Sequence, residues 1–167
     1  GLAYGLSAFG LGKQLNMGAG EAKDLMDEYF KRFGGVRDYL ESVVATARPT
    51  GYTATVLGRR RYFPDLNSDN RMRREAAERM ALNAPIQGSA ADIIKVAMVN
   101  VKRAISEANL QSRLLLQVHD ELVLEVAPGE REELEALVRT QMGAAYALDV
   151  PLDVSVGVGD SWDSAAH

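Results

Sequence analysis

The sequence contains no cysteine and only two histidines, His119 and His167. The first absence excludes disulfides, thiol catalysis, zinc–thiolate sites and iron–sulfur clusters. The second excludes a histidine-rich metal centre, so any metal chemistry must use oxygen ligands. No apolar run approaches the roughly 18–20 residues of a helical membrane span, which excludes an integral membrane protein of that kind. Internal repeats and low-complexity linkers are missing as well. Of 167 residues, 47% are hydrophobic and 25% charged, the balance of a globular protein rather than a disordered or collagen-like one. The chain opens on Gly1 inside a running pattern, with neither an initiator Met nor a signal peptide, and reads as the tail of something longer.

The formal net charge of −4 argues at first against a nucleic-acid partner. It is an average over two dissimilar stretches. Residues 1–119 carry 17 basic and 12 acidic side chains, a net +5, while residues 120–167 carry 2 and 11, a net −9. A polyanion responds to the local field and not to the mean. The densest basic stretch is Arg59-Arg60-Arg61, followed by Arg71, Arg73, Arg74 and Arg79. Arginine at all seven positions suits phosphate, whose oxygens match the guanidinium fork, although a solvated helix face would carry the same charges.

Apolar spacing predicts a helix over 20–33, broken by Gly34-Gly35, and a second over 36–47, ended by Pro49 and Gly51. Tyr52 to Phe63 alternates around Gly58 as a short hairpin closed off by Pro64. Asn67, Ser68 and Asp69 are N-cap candidates for an arginine-rich helix to about Asn83, and Pro85 suits the first turn of a fresh helix over 88–108. Leu114, Leu116 and Val118, then Leu122, Leu124 and Val126, alternate on either side of His119-Asp120-Glu121, the pattern of a hairpin with an acidic turn. An acidic helix is expected near 130–145, and a last strand at Val154, Val156 and Val158. Helices followed by an antiparallel sheet with packed helices make the class α+β, with a soft boundary near 65–80.

Three groups of residues could carry chemistry. His119-Asp120-Glu121 is the only titratable cluster that interrupts an otherwise apolar hairpin. Tight turns favour Asn-Gly or Asp-Gly, so turn formation alone does not call for these residues. A carboxylate at a hairpin tip is rigidly presented, as an Mg²⁺ ligand should be, though an ordinary polar turn would look the same. No other Asp or Glu stands out as a partner for a two-ion site. Arg79, Asn83 and Gln87 recur at steps of four, and on one continuous helix they would line a single face. Long donors of this kind suit the DNA minor groove, where every base pair offers a purine N3 or pyrimidine O2 acceptor. The alternative is that Asn83 and Gln87 are caps around Pro85 and Arg79 is a surface residue. Finally, Tyr4-Gly5 could end a helix and stack on a base, or be core.

Taken together, Tyr4 to Gly10, Gly58-Arg-Arg-Arg-Tyr-Phe-Pro64, the run from Arg79 to Lys95, Gln117-Val-His-Asp-Glu-Leu122 and Gly159-Asp-Ser-Trp-Asp163 resemble, in order, the C-terminal part of family A DNA polymerases. The resemblance implies that residues 1–75 are the end of the fingers and 76–167 most of the palm. It implies that Asp120 is a ligand of a catalytic Mg²⁺ pair and Glu121 an auxiliary carboxylate there. His119 would contact the primer 3′ end, and Arg79, Asn83 and Gln87 would hold primer–template DNA. Tyr4 would lie near the templating base and the incoming dNTP, with Gly5 allowing the turn. It further implies a monomeric parent in the bacterial cytoplasm, at the nucleoid. The family's triphosphate-gripping Arg and Lys, its other catalytic aspartate, and its thumb and exonuclease segments fall outside this sequence. The 167-residue chain alone is therefore expected to lack polymerase activity. A non-catalytic nucleic-acid-binding module, a metal-dependent nuclease built on Asp120 and Glu121, and an interaction domain with an acidic tail are the competing readings.

Overall fold

A computed structural model describes residues 7–165. It is an α+β chain made of six helices and two separate two-stranded antiparallel sheets among the described residues. The chain divides into two compact units, Gly1–Ser89 and Ala90–His167.

The first unit begins with α1 (Ala8–Leu15), capped by Ser7, whose Oγ accepts from Gly10 N at 3.1 Å, and closed by Asn16 in the left-handed region. The serine starts this helix because its side chain satisfies one of the free first-turn amides. Helix α2 (Ala19–Arg32) follows the expected apolar spacing. The break after it falls on Phe33 (φ −118°, ψ 56°), and Gly34-Gly35 form the first turn of α3 (Gly34–Thr50) rather than the breaker. Pro49 lies inside the last turn of α3, and Gly51 at φ +76° supplies the left-handed exit.

Strands β1 (Tyr52–Ala54) and β2 (Arg60–Tyr62) form the expected hairpin, with Gly58 at φ +80° in the connection. A 3-10 turn at Pro64–Asn67 leads to α4 (Arg71–Glu107). The cap of α4 is Asn70, one residue beyond the expected candidates: its Oδ1 accepts from Met72 N at 3.0 Å and Arg73 N at 3.3 Å. Ser68 instead accepts from Asn70 N.

Helix α4 also corrects the expectation of two helices meeting at Pro85, since it runs on through that residue. An interior proline removes one helix bond and costs about 3 kcal/mol. What offsets that cost is burial on the same side: Ala77, Ala81 and Ala84 join Ala47, Phe63 and Leu66 in the first unit's core. Pro85 is itself buried. Arg48 of α3 adds a polar tie, donating to Leu66 O at 2.7 Å and pairing with Glu78 of α4.

The second unit holds the C-terminal part of α4, the hairpin β3 (Arg113–Val118) and β4 (Glu121–Glu125), α5 (Arg131–Gly143) and the short α6 (Trp162–Ala165). Val101 and Ile105 of α4 and Leu134 and Val138 of α5 form its core, with Leu122 and Leu124 of β4 packed against them. The hairpin register shifts between Leu114 and Leu116, which leaves Leu115 as a bulge in β3. The strand expected at Val154–Val158 does not form. Its sequence alternates, but no strand lies beside it among the described residues, and alternation without a ladder partner does not make a strand. The Arg139 guanidinium takes the Val154 carbonyl instead.

Candidate functional site

Two groups of candidate residues are formed locally, one in each unit. In the second unit, Val118 pairs with Glu121, so His119 and Asp120 alone make the hairpin turn. A two-residue hairpin turn needs positive φ at its first position, which glycine supplies without strain. Here His119 adopts it, at φ +52°. The turn is steadied by Gln117, whose Nε2 donates to His119 O at 2.9 Å. All three residues of the cluster are exposed.

The two carboxylates differ in their surroundings. Glu121 accepts from the Trp162 indole N–H at 3.3 Å, a contact between β4 and the C-terminal helix α6. Asp120 carries no hydrogen bond or ion pair among the described residues, so both its oxygens are open to a ligand. No group of three His, Asp or Glu side chains comes together among the described residues. An exposed, unpaired carboxylate on a fixed turn fits one position of a hard oxygen-ligand shell, with the other ligands supplied from elsewhere.

In the first unit, α4 places Arg79, Asn83 and Gln87 on one face, as steps of four along a continuous helix require. At 1.5 Å rise per residue the row is about 12 Å long. Arg79 and Gln87 are exposed and Asn83 is half-buried. Asn83 Oδ1 is buried without a partner, which leaves its Nδ2 as the atom that reaches the surface. The row therefore offers donors from Arg79 and Asn83, beside the Gln87 amide, which carries a donor and an acceptor. Arg71, Arg73 and Arg74 precede the row, and the field of Arg71, Arg74 and Arg79 is visible at Glu75. That carboxyl is held below its usual range first by the hydrogen bond from Arg71 and then by its charge, with Arg79 and Arg74 adding to the effect. The Arg71 guanidinium is correspondingly raised.

Tyr4 and Gly5 lie outside the described residues. Two contacts went unread in the sequence. One is Trp162 to Glu121, for which the sole tryptophan, set in Gly159-Asp-Ser-Trp-Asp163, was the available signal. The other is the approach of the β1–β2 hairpin to α4 beside Gln87, signalled only by a glycine, Gly88, inside a helix.

Comparison with known proteins gives a consistent result. The model for DNA polymerase family A matches residues 1–164. DNA polymerase I of Mycobacterium tuberculosis is 71% identical over all 167 residues, and DNA polymerase I of Pseudomonas aeruginosa is 50% identical over 165, 99% of the chain. The chain spans only 18% of the length of either relative. Among solved structures, the POL domain of Pol1 from Mycobacterium smegmatis, in complex with DNA primer-template and dNTP, is 70% identical with a TM-score of 0.96. The match covers 100% of this chain and 30% of that one.

Proposed function

The chain belongs to DNA polymerase family A, and from that membership we propose that it is the C-terminal part of a DNA-directed DNA polymerase. In this reading residues 1–75 close the fingers and 76–167 make up most of the palm. The substrates are a primer–template duplex and a dNTP, the classes bound by the structural relative. The observation that carries the reading is the His119–Asp120 turn, which holds an unpaired, exposed carboxylate at a defined point of the hairpin.

Asp120 would hold a divalent cation together with substrate phosphates, Mg²⁺ being the ion that suits such mixed oxygen shells. When bound, a pair of such ions lowers the pKa of the attacking hydroxyl and offsets charge on the leaving group. Glu121, with one oxygen engaged by Trp162, serves as the auxiliary carboxylate. His119 sits next to Asp120 on the same turn and contacts the backbone at the primer 3′ end. The donors of Arg79, Asn83 and Gln87 grip the duplex through minor-groove acceptors present in every base pair, so the grip does not depend on sequence. Tyr4 and Gly5 lie by the templating base and nascent pair. The parent acts as a monomer in the bacterial cytoplasm, at the nucleoid.

The 167-residue chain alone is inactive in this reading. It offers one aspartate of the required pair and none of the basic residues that grip the triphosphate. Templated dNTP incorporation by the isolated chain would overturn that statement. In the full-length polymerase, Asp120→Ala is expected to lower primer extension about a thousandfold, since it removes a ligand from the reacting centre. Primer–template affinity should stay within a few-fold. Equal loss of binding and extension, measured by filter binding and single-turnover kinetics, would count against the metal role.

A further inference from the structure

We propose that the β1–β2 hairpin positions Gln87 for its duplex contact, and that Gly88 is the residue that lets it do so. The proposal rests on the polymerase reading of α4. Glycine weakens a helix interior, so its presence in the middle of α4 calls for a reason. The reason is space. A Cβ on Gly88 would lie 2.7 Å from Thr55 Cγ2 and 3.4 Å from Arg59 Nη2, inside the hairpin connection.

Thr55 cannot swing away cheaply. Its Oγ1 accepts from Arg59 N at 3.1 Å, which fixes the rotamer of a β-branched side chain. Its backbone N donates to Arg59 O at 3.0 Å, and its O accepts from Gly58 N at 2.9 Å. The connection is thus internally braced, and it is fastened to α4 at two successive residues. Arg59 Nη2 donates to Gly88 O at 3.1 Å, and Val56 N donates to Ser89 Oγ at 3.0 Å.

Gln87 precedes these two anchors and lines the same small cavity, about 70 Å³, as Thr53, Thr55, Arg59 and Arg61. Packing one side of a long, flexible amide side chain against a braced hairpin removes rotamers before the duplex arrives. That is a gain in affinity through preorganisation rather than through a new contact. Arg59, tied to Gly88 O, and Arg61, on the cavity wall, support Gln87 in this arrangement.

The test uses the full-length polymerase with four variants: Gly88→Ala, Gln87→Ala, the two together, and Gly88→Ala combined with Thr55→Ser. The readouts are primer–template Kd and the ratio of extension from matched and mismatched termini. Gly88→Ala is expected to weaken binding about 3- to 10-fold, close to the loss from Gln87→Ala, and to shift the mismatch ratio the same way. The two together should lose little more than either alone. Thr55→Ser removes the clashing methyl and keeps the hydroxyl that accepts from Arg59, so it should restore Gly88→Ala to within about twofold. Additive losses, or no rescue by Thr55→Ser, overturn the hairpin proposal while leaving the duplex reading intact. No effect of Gln87→Ala on binding or mismatch extension overturns both. Should Gly88→Ala fail to fold, Ser89→Ala removes the second anchor without adding volume. It should shift the mismatch ratio in the same direction, and an unchanged ratio overturns the proposal.

Discussion

Residues 1–89 carry 13 basic and 10 acidic side chains, whereas residues 90–167 carry 6 and 13. The two units also present their candidate residues by different physical means. In the first, Arg79, Asn83 and Gln87 project from regular helix, and the alanines at 77, 81 and 84 are buried in the core on another face of the same turns. Their positions follow from packing. In the second, Asp120 is placed by a two-residue turn whose first member, His119, takes a backbone conformation that most side chains avoid. Its position follows from local strain that the flanking strands enforce. The difference leads to an expectation: perturbing the first unit should lower stability and DNA grip together, while relieving the turn in the second should raise stability and lower activity.

The largest effect should come from the core under α4. Leu66 is fully buried against Ala77, Ala81 and Ala84. Leu66→Ala is expected to cost about 2–5 kcal/mol through lost burial and the cavity left behind. Hydrogen exchange should show the loss in the amides of residues 71–89, and primer–template affinity should fall with it. Full destabilisation with unchanged affinity would break the link between packing and grip.

The second unit should behave in the opposite way. His119→Gly removes the cost of a side chain at φ +52° and, after allowing for the freer unfolded chain, should stabilise by up to about 1 kcal/mol. On the proposed reading, in which this imidazole contacts the primer terminus, extension should nevertheless decline. Chemical denaturation and steady-state extension on the same preparation decide the matter. If stability and activity both fall, the turn is not a site of stored strain and the contrast between the units is lost.

Legibility in the sequence followed the same division. The turn was readable because three titratable residues interrupt an apolar alternation, a pattern that local period alone exposes. The helix face was readable only as a spacing, since Pro85 carries a strong local signal for a helix start. What overrode that signal was burial by Phe63 and Leu66, residues distant in sequence, and nothing near Pro85 announces them. Val154 to Val158 failed in the converse way: its alternation is a strand's, but strand formation depends on a neighbour that local pattern does not report. The Asn70 cap was missed by one residue for a smaller reason, since four consecutive cap-forming residues, Asn67 to Asn70, compete and the 3-10 turn takes the first of them.

The smallest expected effect concerns acid. In the second unit Glu130 is held below the usual carboxylate range, first by the backbone N–H of Gln111, at 2.8 Å, and then by the Ser112 hydroxyl and amide, at 2.6 and 2.9 Å. These donors tie the entry to β3 to the start of α5, and the Ser112 hydroxyl also accepts from Ala127 N. In the first unit the lowered carboxylate, Glu75, is held chiefly by Arg71 one turn away on the same helix, so it fastens nothing beyond that helix. A depressed carboxylate contributes stability that is present above its unfolded value of about 4.3 and is lost as the pH falls through its folded value. Glu130→Gln should therefore lower the urea midpoint of the second unit at pH 7 and flatten its decline between pH 5 and 3. Glu75→Gln should flatten the acid profile of the first unit in the same direction but by less, because its i,i+4 pair with Arg71 is exposed and screened by solvent. Parallel profiles for Glu130→Gln and the parent would show that the carboxylate's charge plays no part in joining the strand to the helix, and the two units would then meet acid alike.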